Sequence, residues 1–189
     1  MNLYNDSVLL IGPPNVGKSE VSSLLSEKLN LPIISLEDSR DEYYKELGYD
    51  KNYANKLKKE NGYLERYKYS KKFESYHVSN FLKKIENPAV IKFQASQTVY
   101  EDDKLFNDIK QEIKKFKNVV LLLPDIDLQD CWIKINKAGK VPVGSDLSKL
   151  NWHLISSPCN TNLATITVCI CGRSSEEVVE EILKEIKKN

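Results

Sequence analysis

The chain has no long apolar run, no C-x-x-C pair and no surplus of charge of either sign, and each absence removes a class of protein. Its longest apolar stretch, Asn118 to Pro124, is far too short to cross a bilayer. The opening Met1-Asn2-Leu3-Tyr4-Asn5-Asp6 lacks the basic start and apolar core of a secretion signal, so no membrane partner and a cytoplasmic location are expected. A formal net charge of +1 over 189 residues argues against a dedicated binder of nucleic acid. Cys131, Cys159, Cys169 and Cys171 show no paired metal-ligand spacing. Cys169 and Cys171 stand two apart in a strand-like stretch and read as neighbouring core thiols; a metal site built with Cys159 and His153 is the alternative. No repeat or low-complexity linker divides the chain, and its length fits a single domain.

What is present is a phosphate-binding loop. Gly12-Pro13-Pro14-Asn15-Val16-Gly17-Lys18-Ser19 has the spacing G-x-x-x-x-G-K-S, entered from the apolar Val8-Leu9-Leu10-Ile11 and left through helix-like residues from Glu20 to Leu29. The two glycines allow successive amide groups to curl around a nucleotide β-phosphate at the positive end of the following helix. Lys18 then serves the β- and γ-phosphates, and the Ser19 hydroxyl serves Mg²⁺. An ordinary strand-to-helix turn is the bland alternative. Val21, Leu24, Leu25 and Leu29, at helical spacing after the loop, favour the nucleotide reading.

Strand-like segments fall at 8–11, 33–36, 89–93, 119–123 and 164–170, with helical patterns between them. This predicts an α/β domain: a doubly wound, five-stranded parallel sheet of P-loop NTPase type. The expected core comprises 1–40, 88–132 and 158–189, with a helical insert at 41–87 and a lid at 133–157 carrying Lys134, Lys137 and Lys140. Eight of the ten tyrosines fall in the insert, where they either line a pocket beside the loop or simply pack helices. Asp125 and Asp127 read as a cap on a helix from Leu128 to Ile135 more readily than as metal ligands. Ser174 and Glu177 have the spacing of a capping box for the last helix.

The run from Val8 to Ser19, then Leu24-Leu25-Ser26-Glu27-Lys28-Leu29, then Leu31-Pro32-Ile33-Ile34-Ser35-Leu36-Glu37-Asp38, resembles the start of shikimate kinase and related small-molecule kinases. The likeness resumes loosely at Leu163 to Val168 and at Gly172-Arg173-Ser174-Ser175-Glu176-Glu177. The resemblance implies ATP as phosphoryl donor, Mg²⁺ as cofactor, a substrate-binding insert after the second strand, and adenine held near Arg173. Departures accompany it. The family's D-x-D after the second strand aligns with Ser35 and Glu37, leaving Asp38 as a displaced carboxylate. Its glycine triplet after the third strand is replaced by Phe93-Gln94-Ala95-Ser96-Gln97. The only arginines are Arg40, Arg66 and Arg173, none of them in the lid, and lysine cannot supply the planar fork an arginine offers a carboxylate. Shikimate is therefore an unsuitable acceptor.

The site so expected has the loop residues Gly12 to Ser19, with Glu20 and Arg173, on the nucleotide; Ser19 and Asp38 on the metal; and Glu37, Arg66 and Gln94 on the acceptor. Lys18, Glu37, Asp38 and Lys140 act in transfer. The leading function is an ATP-dependent kinase of a small hydroxylated metabolite. A nucleotide-binding module or weak NTPase derived from one comes second, and a nucleotide or nucleoside kinase, which needs more arginines, third.

Overall fold

A computed structural model describes residues 2–188. A short helix α1 (Leu3–Asp6) leads into β1 (Val8–Ile11), and the loop then opens α2 (Lys18–Leu29). There follow β2 (Ile33–Ser35), then α3 (Leu36–Glu46), α4 (Lys51–Asn61) and the 22-residue α5 (Tyr63–Lys84). Next come β3 (Val90–Lys92), a 3-10 turn at Ala95–Thr98, α6 (Asp103–Ile113) and β4 (Asn118–Leu123). The chain continues through α7 (Leu128–Ala138), α8 (Asp146–Ser156) and α9 (Cys159–Leu163), and ends with β5 (Ile166–Cys169) and α10 (Ser175–Ile186).

The five strands pair in parallel in the order β2-β3-β1-β4-β5. The connection from β1 leaves toward β2 while that from β3 leaves toward β4, so a crevice opens between the carboxyl ends of β1 and β3. Alternation along each strand splits the core in two. Leu9, Ile11, Ile91, Phe93, Val119 and Leu121 face α5, α6 and α9, whereas Val8, Leu10, Val90, Val120, Leu122 and Val168 face α2 and α10. Both faces of the central strands are therefore apolar, and each fully buried leucine contributes roughly 2 kcal/mol of transfer free energy.

Local signals hold where they are short-range. Asp127 caps α7 by accepting from the amides of Gln129 (2.8 Å) and Asp130 (3.1 Å). Ser174 and Glu177 form the reciprocal capping box that starts α10. The strand expectations run long at β2, β3 and β5, because Leu36 already belongs to a helix and β5 stops at Cys169. That last difference overturns the pair of core thiols. Beyond the strand end Cys171 turns into a left-handed conformation (φ +47°) and is exposed, and it forms a disulfide with Cys169, Cα to Cα 5.4 Å. The alternative metal pair is also committed elsewhere: the Cys159 thiol donates to Tyr100 O (3.3 Å), and His153 Nε2 meets Glu101. Among the described residues no group of three or more His, Cys, Asp or Glu side chains is placed to hold a metal, and no helix is long and apolar enough to cross a membrane.

Candidate nucleotide and acceptor sites

The loop between β1 and α2 takes left-handed backbone at Gly12 (φ +136°), Asn15 (φ +58°) and Gly17 (φ +88°), the alternation that turns amide groups inward into an anion nest. Gly12 is required sterically as well: a Cβ there would stand 2.4 Å from Leu122 O on the neighbouring strand β4. At the tip, Asn15 Nδ2 donates to Ile135 O (3.3 Å) and so ties the loop to α7. Lys18 folds back over the loop, its ammonium donating to Gly12 O (2.8 Å) and Pro13 O (2.7 Å). Burial, and then the charge of Lys92, pull the Lys18 pKa down to about 7.

Lys92 had no signal in the sequence. It ends β3, in register with Leu10 of β1, and its Nζ donates to Ser19 Oγ at 3.2 Å. Ser19 is the oxygen expected to hold Mg²⁺. Glu37 is the one carboxylate lining the same cleft among the described residues, and Asp38 does not line it. That hydroxyl is engaged by an ammonium, whose charge opposes a divalent cation at the same oxygen.

The loop faces a cleft of about 540 Å³ lined by residues 14–19, Glu37, Lys92 and residues 93–96, with Leu147, Leu150, Asn151 and Leu154 of α8 opposite. The lid segment thus offers the cleft leucines in place of lysines. Lys134 pairs with Asp125, whose carboxyl is held low by that lysine, and Lys140 sits exposed in the turn after α7. The α7–α8 hairpin is internally closed: Trp132 Nε1 donates to Ser148 O (2.7 Å), and Asn151 Nδ2 donates to Asn136 Oδ1 (2.8 Å). Glu20 is exposed on the first turn of α2 and does not line the cleft. Arg173 is also outside it, its guanidinium engaged by Glu181 and the carbonyls of Cys169 and Ile170.

A second cavity, of about 280 Å³, adjoins the first and shares Gln94, Ser96 and Leu150 with it. Its walls are Tyr44, Tyr49, Tyr63 and Tyr67, with the cations Arg40, Lys51 and Arg66 and the carboxylates Asp41 and Glu74, Asp41 pairing with both Arg40 (3.6 Å) and Lys51 (2.8 Å). Two of the three arginines therefore converge here. Arg66 was anticipated from its place in the insert; Arg40 became visible only once α3 and α5 packed together. Burial, followed by Glu74 for Tyr44 and Glu101 for Tyr67, raises both phenol pKa values, so these hydroxyls remain protonated. Beneath lies the buried pair Lys71–Glu74. The Lys71 ammonium stands 4.3 Å from the Tyr67 ring centre and 4.2 Å from that of Tyr100, and it donates to Val99 O (2.9 Å) and Ser96 O. It thereby fixes the segment that separates the two cavities.

No protein-family model matches the sequence, and no curated protein matches it either. Solved structures do. Shikimate kinase from Acinetobacter baumannii, in complex with shikimate, superposes with a TM-score of 0.62 at 15% identity, covering 97% of this chain and 94% of that one. Shikimate kinase from Aquifex aeolicus gives 0.56 at 22% identity over 97% of both chains. A gluconokinase from Sinorhizobium meliloti gives 0.57 at 12% identity, covering 99% of this chain and 94% of that one. The fold is that of the shikimate kinase-like P-loop kinases.

Proposed function

We propose that the chain binds ATP at the loop and transfers its γ-phosphoryl group to a hydroxyl of a small anionic metabolite seated among the tyrosines. The observation that supports this reading is the shared wall: Gln94, Ser96 and Leu150 line both the loop's cleft and the arginine-bearing cavity. Gln97 turns inward, its Oε1 accepting from Gln94 N at 2.7 Å, and only Gln94 faces the cavities.

In this reading the loop amides and Lys18 hold the β- and γ-phosphates and stabilise charge as it moves between oxygens. Arg40 and Arg66 fork onto an acidic group of the acceptor, and protonated Tyr44 and Tyr67 give the cavity its polar floor. Glu37, which lines the same cleft as Gln94, orients the acceptor hydroxyl. No step is assigned to Mg²⁺, since Lys92 holds Ser19. Shikimate is not the acceptor proposed, because the glycine triplet whose backbone approaches it in its kinases is replaced here by Phe93-Gln94-Ala95-Ser96-Gln97, and α8 lines the cleft with Leu147, Leu150 and Leu154 where a charged lid would serve transfer. Those same leucines favour the second reading, a nucleotide-binding module without useful turnover.

The test is ATP consumption against a panel of hydroxy acids and sugar acids. Stimulation by one compound, lost in Lys18→Ala and shifted to a KM at least about tenfold higher in Arg66→Met, is expected of the kinase. ATP binding with no stimulation by any acceptor refutes it in favour of the module.

A further inference from the structure

We infer that Lys92 takes the part of a divalent cation, so that the loop binds a nucleoside triphosphate as the free, metal-less anion. The inference rests on the cleft being a nucleotide site, and it concerns which ionic form of the nucleotide enters.

Three observations carry it. Lys92 Nζ reaches Ser19 Oγ at 3.2 Å, which puts a positive charge where the loop's own cation ligand lies. Parallel register with Leu10 sets that position: β3 reaches the level of the loop, so the side chain of its last residue stands beside the start of α2. Among the described residues Lys92 enters no ion pair, unlike the lid's Lys134, which Asp125 neutralises. Lys18 and Lys92 are thus two neighbouring ammonium groups with a helix N-terminus behind them and no carboxylate in salt-bridge contact. Such a cluster is relieved by an anion bearing several charges, and a dication added to it would be repelled. A triphosphate supplies the anion. Its β- and γ-oxygens span the two ammonium groups as they would span one ammonium and one metal ion. Glu37 is the one carboxylate that lines the same cleft as Lys92 among the described residues.

Calorimetric titration of ATP into the full chain at pH 6.5, once in EDTA and once in excess magnesium, tests this directly. The wild type is expected to bind in EDTA within about threefold of its affinity in magnesium. Lys92→Met, which keeps the aliphatic stem, is expected to lose at least about tenfold in EDTA and to regain part of that loss when magnesium is added. Binding by the wild type in magnesium alone overturns the inference and returns Ser19 to the metal, while leaving the nucleotide site intact. Equal binding by Lys92→Met and wild type in EDTA overturns it too. Absence of heat in both buffers refutes the nucleotide site itself, and the role of Lys92 falls with it. The wild-type comparison stands even if the variant fails to fold.

Discussion

Raising the pH from 7 to 9 is expected to weaken nucleoside triphosphate binding about fiftyfold, or about 2.3 kcal/mol, because the loop lysine must be charged to hold phosphate. In the ligand-free chain burial and Lys92 bring Lys18 to a pKa of about 7, against the usual 10.5. About half of the molecules carry the ammonium at pH 7 and roughly one in a hundred at pH 9, whereas a phosphate-bound lysine keeps its proton throughout. Binding above pH 7 therefore takes up a proton, and affinity falls by about a factor of ten per pH unit once that proton has left the free chain. The sign for stability is opposite. Between pH 7 and 10.5 the unfolded chain binds a proton that the folded one has lost, so the ligand-free chain gains stability as the pH rises through that window. Calorimetry in two buffers of different ionisation enthalpy reads the uptake, which should approach one proton at pH 9. Lys92→Met removes the second cause of the shift, so the midpoint of its affinity profile should lie at higher pH. An affinity that does not change between pH 7 and 9, or binding that releases protons, refutes the coupling.

Gly12→Ala drives a methyl group to 2.4 Å from Leu122 O and is expected to lower stability by about 3 kcal/mol or more in thermal unfolding. Gly17→Ala, whose new methyl meets nothing closer than Ile170 Cδ1 at 3.8 Å, carries only the cost of its backbone angle, about 1 kcal/mol; equal losses in the two variants refute the close approach. His77 is pushed down to about 4 by burial and then by Arg40, and it pairs with Ser39 Oγ at 2.9 Å. From pH 6.5 to 4 the unfolded chain binds the proton that the folded one refuses, so stability falls as the pH drops. The loss should be about 2 kcal/mol, less than the full shift because solvent screens part of it. Urea unfolding of wild type and His77→Gln should show that slope in the wild type alone, and parallel curves refute it.

The parts of this molecule that could be read from the sequence are those whose determinants lie within a few residues of one another. The loop is one, since Gly12, Gly17, Lys18 and Ser19 are fixed by spacing. The Asp127 cap and the Ser174–Glu177 box are others, each closing over three residues. Apolar alternation located the strands, yet their ends depend on pairing partners, which is why Cys171 was assigned to a strand that stops at Cys169. Lys92 was invisible for a related reason. Only the register of β3 against β1 brings a lysine 73 positions away to Ser19. The lid shows the converse: a helix was legible only from Leu128 to Ile135, while the continuation to Ala138 and the second helix α8, whose packing on α7 turns leucines to the cleft, were not.

The replacement of a glycine triplet by Phe93-Gln94-Ala95-Ser96-Gln97 suggested that side chains fill the space beside the loop, and the fold resolves this through a buried charge. Phe93 is buried in the core, and Gln97 is consumed in closing the 3-10 turn. Lys71 then fastens the far side of that turn through the carbonyls of Ser96 and Val99, while Ser96 Oγ donates to Glu74 Oε1 at 2.8 Å. An ammonium and a carboxylate taken out of water are costly unless each is well partnered, and here both are spent on the one segment that borders both cavities. The tyrosines complete the arrangement, since Tyr67 and Tyr100 give the cation a pair of ring faces and Tyr67 also lines the second cavity. Lys71, Glu74 and Tyr67 thus tie the helical insert to the segment that follows β3. Gln94 and Ser96 of that segment line both the tyrosine cavity and the cleft of Lys18 and Lys92.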